Sequence, residues 1–179
     1  MEERVKIPQS RIGVVIGKEG RAKKEIEKKC EVSLEVKEDG EVVISGDADK
    51  VYFTKDIIKA IGRGFSPKIA LKLLDEDYML EIIDLDDYYN TENAKRRIRG
   101  RVIGKEGRAK KEIERATDAY ISVFGDTVSI IAPYYTMPYA KEAVEKLIKG
   151  AKHSTTFNYL SRAREEITLT KLKGFKKHE

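Results

Sequence analysis

Tryptophan is absent, cysteine occurs once (Cys30) and histidine twice (His153 and His178). A lone thiol excludes an intrachain disulfide, and a lone thiol with two imidazoles is too few for a zinc cluster, so neither metal nor cofactor is expected. Long apolar runs are missing too. None approaches the roughly 18 residues of a membrane span, and Met1-Glu2-Glu3-Arg4 lacks the apolar core of a signal peptide. A cytoplasmic protein is expected. Asn and Gln are nearly absent (Gln9, Asn90, Asn93, Asn158) while charged residues make up 37%, the compositional habit of thermophile proteins. Lys and Arg number 36 against 31 Asp and Glu, a net charge of +5 that is too mild to identify a nucleic-acid binder by itself.

What is present is a duplication. Val15-Ile16-Gly17-Lys18-Glu19-Gly20-Arg21-Ala22-Lys23-Lys24-Glu25-Ile26-Glu27 returns unchanged from Val102 to Glu114, an offset of 87 residues. Identity over thirteen positions is not chance, so the chain holds two copies of one unit.

The flanks give each copy the same order of elements. In the first, Arg4–Ile7 alternates as a short strand before Pro8, and Ser10 is the expected N-cap of a helix carrying Ile12, Val15 and Ile16. A second helix from Arg21 places Ala22, Ile26 and Cys30 on its inner side, which makes Cys30 a small core residue. Val32, Leu34 and Val36 alternate as a strand, Asp39-Gly40 turns, and Val42–Ser45 returns. Gly46-Asp47 opens a longer amphipathic helix through Ala48, Val51, Tyr52, Ile58 and Ile61. Ser66-Pro67 then starts a short connector helix. The second copy repeats this: a strand at Tyr78–Leu85, a helix capped by Asn90 or Thr91 with Ala94, Ile98 and Val102 on one face, then helix, hairpin and helix to about Lys149. Thr155 or Thr156 is expected to cap a final helix with Phe157, Leu160 and Ile167, followed by a basic tail over Lys171–Glu179.

In both copies Gly-Lys-Glu-Gly joins two helices. Glycine permits φ > 0 and leaves no Cβ to hold a ligand's backbone away. The next helix offers unpaired N–H groups and the positive end of its dipole, so a phosphate is favoured there twice. Lys18, Arg21, Lys105 and Arg108 add charge at the rim. A nucleotide-triphosphate loop of the Walker type is excluded, because neither Gly-Lys is followed by Ser or Thr.

Val-Ile-Gly-Lys-Glu-Gly-Arg set in β-α-α-β-β-α resembles the KH module, whose Gly-x-x-Gly loop clamps single-stranded nucleic acid against an apolar groove. The resemblance implies an α+β fold: two type I KH domains, each a three-stranded antiparallel sheet packed by helices, plus a C-terminal helix. The expected boundaries are 4–64, a helical connector over 65–77, 78–150, and 151–179 for the C-terminal helix and basic tail. By the same resemblance Ile16, Ile26 and Leu34 floor the first groove and Ile103, Ile113 and Ile121 the second, with plain core the alternative role. The residues expected to meet RNA are Gly17, Lys18, Glu19, Gly20, Arg21 and Lys24 in the first copy. In the second they are Arg97, Arg99, Arg101, Ile103, Gly104, Lys105, Glu106, Gly107, Arg108, Lys111 and Phe124, the last as a base-stacking position.

The Arg99-Gly100-Arg101 lead-in, the long charged helix before the second loop and the helix after Gly150 are similar to the archaeal Dim-two, or partner-of-Nob-one, family of ribosome biogenesis. That resemblance implies binding near the 3′ end of small-subunit rRNA, with the Nob-type endonuclease and the α subunit of archaeal initiation factor two as partners. Eukaryotic relatives have lost the first Gly-x-x-Gly, whereas Gly17 and Gly20 remain here. Charge favours the second copy: residues 93–111 hold nine bases against Glu106, residues 6–24 six against Glu19, and the first hairpin turn, Lys37-Glu38-Asp39-Gly40-Glu41, is acidic. Two rival readings remain, a subunit of an elongation or exosome-type complex and a protein-interaction scaffold with KH units kept for shape. No nucleophile and base pair in an active-site pattern points to an enzyme.

Overall fold

A computed structural model describes residues 1–175. Two compact units divide the chain, Met1–Leu80 and Glu81 onward. The first begins with β1 (Glu2–Lys6) and α1 (Gln9–Ile16). Ser10, expected as the cap of α1, lies inside its first turn, because the extended Pro8 takes the capping position. Next come α2 (Arg21–Cys30), β2 (Ser33–Val36), β3 (Glu41–Ser45), α3 (Ala48–Gly62) and the short α4 (Pro67–Ala70), whose cap Ser66 accepts a hydrogen bond from the Ile69 amide.

The sheet is antiparallel in the order β1-β3-β2. Val5 faces Val42 and Leu34 faces Ile44 in its register, so the central strand turns Val42 and Ile44 into a core shared with Val15, Ile26 and Ile58. Cys30 belongs to that core and burial pushes its thiol up, so it stays a neutral small residue there. Tyr52, beside the buried Val51 of α3, is 67% exposed. Consecutive helical residues point about 100° apart, and Val51 holds the inward direction.

The second unit repeats the plan with β4 (Tyr78–Asp84), α5 (Glu92–Ile103), α6 (Arg108–Thr117), β5 (Tyr120–Phe124), β6 (Thr127–Pro133) and α7 (Met137–Ile148). Its sheet order, β4-β6-β5, is that of the first. Of the two candidate caps of α5, Thr91 acts, its Oγ1 accepting from the Ala94 amide at 3.2 Å. The fold is therefore α+β, two β-α-α-β-β-α units, with α8 (His153–Phe175) added at the C-terminal side. α8 packs on α6 and α7 through Leu160, Ala163 and Ile167, spaced three and four residues apart on one stripe. It starts earlier than Thr155 or Thr156 would have it. Thr156 is instead buried in the first turn. Of the expected basic tail, residues 171–175 continue α8 and residues 176–179 lie outside the described residues. Among the described residues no helix is long and apolar enough to cross a membrane.

One polar device recurs at identical positions. α2 and α6 end in left-handed residues, Glu31 and Asp118. One turn back, the Glu27 carboxylate accepts from the Leu34 amide at 2.8 Å, and the Glu114 carboxylate accepts from the Ile121 amide at 2.9 Å. The last residue of the identical run thus fastens helix to strand, which satisfies an amide of β2 or β5 that would otherwise lack a partner. Glu114→Ala is expected to lower unfolding free energy by about 1–2 kcal/mol, and Glu114→Gln, which keeps an acceptor, by much less. Urea denaturation of the two variants reads the difference.

Candidate nucleic-acid interface

The loop between the first two helices of each unit follows one backbone path twice. Gly17 has φ 72° and ψ 176°, Gly104 φ 76° and ψ 174°. Glu19 and Glu106 share φ 56°, and Gly20 and Gly107 sit at φ 73° and 74°. The first glycine of each pair occupies a region open essentially to glycine alone. The second is left-handed, which other residues adopt at a cost of about 1–2 kcal/mol. Gly20 N–H donates to Gly17 O, and Gly107 N–H to Gly104 O, both at 3.2 Å, closing the turn around the left-handed glutamate.

The two glycines of a pair differ in their surroundings. A Cβ on Gly17 would lie 2.6 Å from the Ala22 Cβ, and one on Gly104 2.7 Å from the Ala109 Cβ. These glycines are where the loop is pressed against the following helix. A Cβ on Gly20 would meet nothing within 4 Å, and one on Gly107 only the far end of Lys111 at 3.8 Å. The second glycine therefore faces open space. α2 and α6 start there without a side-chain cap and without an acidic residue in the first turn. Their positive ends are compensated by nothing on the helix itself.

The basic residues separate into two groups. Arg99 pairs with Glu92 and with Asp126, and also donates to Gly125 O at 3.2 Å. Arg101 donates to Leu147 O and Ala151 O, at the end of α7. Lys95 is buried between Asp86 (2.7 Å) and Asp126 (3.2 Å), and the hydrogen bond to Asp86 raises its pKa. Arg99 and Arg101, expected at the RNA, are thus engaged in holding the hairpin and α7. The charge run could not reveal this, although Asp126 next to the turn glycine was a readable signal for a basic partner. Arg97, Lys105 and Lys111 are exposed with no bonded partner among the described residues, as is Arg96. In the first copy the same is true of Lys18 and Lys24. Arg11 is spent much as Arg101 is, donating to Ile61 O and Phe65 O at the end of α3.

Two further expectations change. Asp39 and Glu41 of the acidic turn are paired with Lys6 and Lys37, which hold both carboxyls below the usual range. That turn repels an anion less than its composition indicates. Of the expected groove floors, Ile26 (0% exposed), Leu34 (2%), Ile113 (0%) and Ile121 (3%) are core, because the inner faces of α2 and α6 press on the sheet. Only Ile16, partly exposed, and Ile103, 37% exposed, present apolar surface beside the loops. Phe124 is half-buried at the end of β5, where its carbonyl accepts from Thr127 Oγ1 at 3.0 Å.

The feature that sequence reasoning missed lies at the start of α8. The Phe157 ring has the Arg108 guanidinium over it at 5.6 Å, and the His153 ring is tilted against Phe157 at 6.2 Å. His153 Nε2 is 2.9 Å from Arg101 O. In the sequence Phe157 stands only as an apolar residue of the final helix, with Leu160 and Ile167.

Residues 2–60 match the KH domain, and residues 79–165 the eukaryotic-type KH domain, type I. The KH domain-containing protein MJ0443 of Methanocaldococcus jannaschii is 47% identical over 180 residues, covering 98% of this chain and 79% of that protein. The pre-rRNA-processing protein PNO1 of Chaetomium thermophilum is 32% identical over 108 residues, 59% of this chain and 42% of its own length. The solved a/eIF2alpha-aDim2p-rRNA complex of Pyrococcus horikoshii contains a chain 44% identical to this one. It has a TM-score of 0.87 and covers 93% of this chain and 95% of that one.

The unequal glycines make a stability prediction. Gly104→Ala forces a Cβ onto Ala109 and out of an allowed backbone region, an expected loss of about 3 kcal/mol or more. Gly107→Ala meets open space and is expected to lose only about 1 kcal/mol. Equal urea midpoints for the two variants would contradict the assignment.

Proposed function

The chain belongs to the tandem KH-domain family of archaeal Dim2p and eukaryotic PNO1, and from that premise we propose that it is a non-catalytic, cytoplasmic RNA-binding protein of ribosome biogenesis. It holds single-stranded small-subunit rRNA near its 3′ end, with the second copy as the dominant site. The observation that carries this reading is the paired loop geometry. Each Gly-x-x-Gly turn brings open backbone to the uncompensated positive end of a helix, where a phosphate is stabilised by N–H groups and dipole together.

Within the second copy, Gly104, Lys105, Glu106, Gly107 and Arg108 form the grip, and Lys111 and Arg97 extend the positive surface along the strand. Ile103 offers apolar area to a base. The first copy would use Gly17, Lys18, Glu19, Gly20, Arg21 and Lys24 in the same way. What supports the ranking is that Arg96, Arg97, Lys105 and Lys111 outnumber Lys18 and Lys24 among bases without a bonded partner in the described residues, while Arg99 and Arg101 are engaged within the fold. The α subunit of initiation factor two and the Nob-type endonuclease are the proposed protein partners; the first of these accompanies rRNA on the related Pyrococcus chain.

The test uses Gly107→Asp and Gly20→Asp, both at positions with room for a side chain and a backbone that Asp tolerates. Fluorescence anisotropy with a single-stranded oligonucleotide of the small-subunit rRNA 3′ end is the readout. Losing a charge-assisted phosphate contact at the second loop is expected to weaken binding about tenfold or more, with a smaller loss at the first. Full affinity in a folded Gly107→Asp protein would sink the reading, and an equal or larger loss in Gly20→Asp would reverse the ranking.

A further inference from the structure

The two loops are identical in residues and in backbone, yet their arginines are not in the same state. In the first copy the Arg21 guanidinium closes on Glu19 of its own loop at 3.1 Å. In the second the equivalent Arg108 does not pair with Glu106; it lies over the Phe157 ring of α8 instead. No aromatic ring lies over Arg21 among the described residues. An exposed arginine over an aromatic face and an exposed arginine–carboxylate pair are of similar strength, so one well-placed ring suffices to decide which contact forms.

Phe157 is well placed for physical reasons. It sits in the first turns of α8, half-buried and packed against the core of the second unit. The start of α8 is fixed in turn by Arg101, which donates to Ala151 O and whose own carbonyl meets His153 Nε2, while the His153 ring flanks Phe157. Arg101 therefore serves the loop at one remove.

We propose that α8, through Phe157 as a positioning residue, holds Arg108 off Glu106 and keeps its guanidinium open to an RNA phosphate, while Arg21, with no such ring, is held closed on Glu19. The inference rests on the phosphate-gripping role of the second loop. It assigns the unequal affinity of two identical loops to a helix outside the β-α-α-β-β-α unit. A ring beneath the guanidinium leaves its N–H edges pointing outward, the geometry a phosphate needs. A carboxylate occupies those same edges.

Phe157→Leu keeps an apolar side chain of similar reach and removes the ring. The same single-stranded rRNA oligonucleotide is expected to bind about threefold to fivefold more weakly, with the logarithmic salt slope reduced by about 0.7, one phosphate contact on a single strand. Phe157→Tyr should retain wild-type binding. Glu106→Gln should restore the Phe157→Leu protein, and in an Arg108→Ala background Phe157→Leu should cost nothing further. Converse opening of the first loop is expected from Glu19→Gln, which should raise residual affinity in the Gly107→Asp protein. Unchanged binding by Phe157→Leu, or a defect that Glu106→Gln does not relieve, overturns the inference even if Gly107→Asp still weakens binding. If Gly107→Asp binds normally, the underlying reading falls instead.

Discussion

The contact between the first glycine of each loop and the alanine that opens the next helix governs the rest. With Gly17 against Ala22, and Gly104 against Ala109, two helices meet with no space for even a methyl group between the link and the helix it feeds. That closeness dictates the backbone path of the remaining loop residues, including the left-handed glutamate. It also aims the second glycine and the start of the following helix away from the protein. The proposed phosphate site, made mostly of backbone, depends on nothing else so directly.

Around that shared loop the polar side chains divide between holding the unit together and facing solvent. Glu27 and Glu114 fasten helix to strand. Arg11 and Arg101 both bond carbonyls at the end of their unit's third helix, though they stand at different points of the repeat. Lys95 and Arg99 secure the second hairpin through Asp126. Much of the positive charge that composition assigns to a ligand is therefore committed within the fold. What remains outward at the loops is a smaller set, Lys18 and Lys24 in the first unit and Lys105 and Lys111 in the second, and a localised field steers an anion to a place better than a diffuse excess does.

The repeat made the fold readable. Thirteen identical residues fixed the phase of both copies, and the alternation of Val32, Leu34 and Val36 or the Asp39-Gly40 turn carried enough local preference to place the hairpin. The Ser66 and Thr91 caps were likewise local and legible. The boundary errors at Ser10 and Thr156 arose where a neighbouring Pro8, or packing of α8 on α6 and α7, outweighed a side chain's capping preference. In the site, glycine placement was legible because its cause is local. The fates of Arg99 and Arg101 were not, since all of their side-chain partners except Glu92 lie 26 to 50 residues away. The tertiary fold brings those groups together, and a run of charge does not encode which of its members will be claimed.

The left-handed Glu19 and Glu106 carry one more implication. Both hold an uncommon backbone state inside turns closed by hydrogen bonds and pinned by a close glycine contact. Loops held this tightly have little conformational entropy left to lose on association. In the proposed role the ordering cost would then fall on the nucleic acid. Selectivity would follow from that division of labour: a segment already single-stranded and splayed would be accepted, while one paired in a helix would first have to be opened at its own expense.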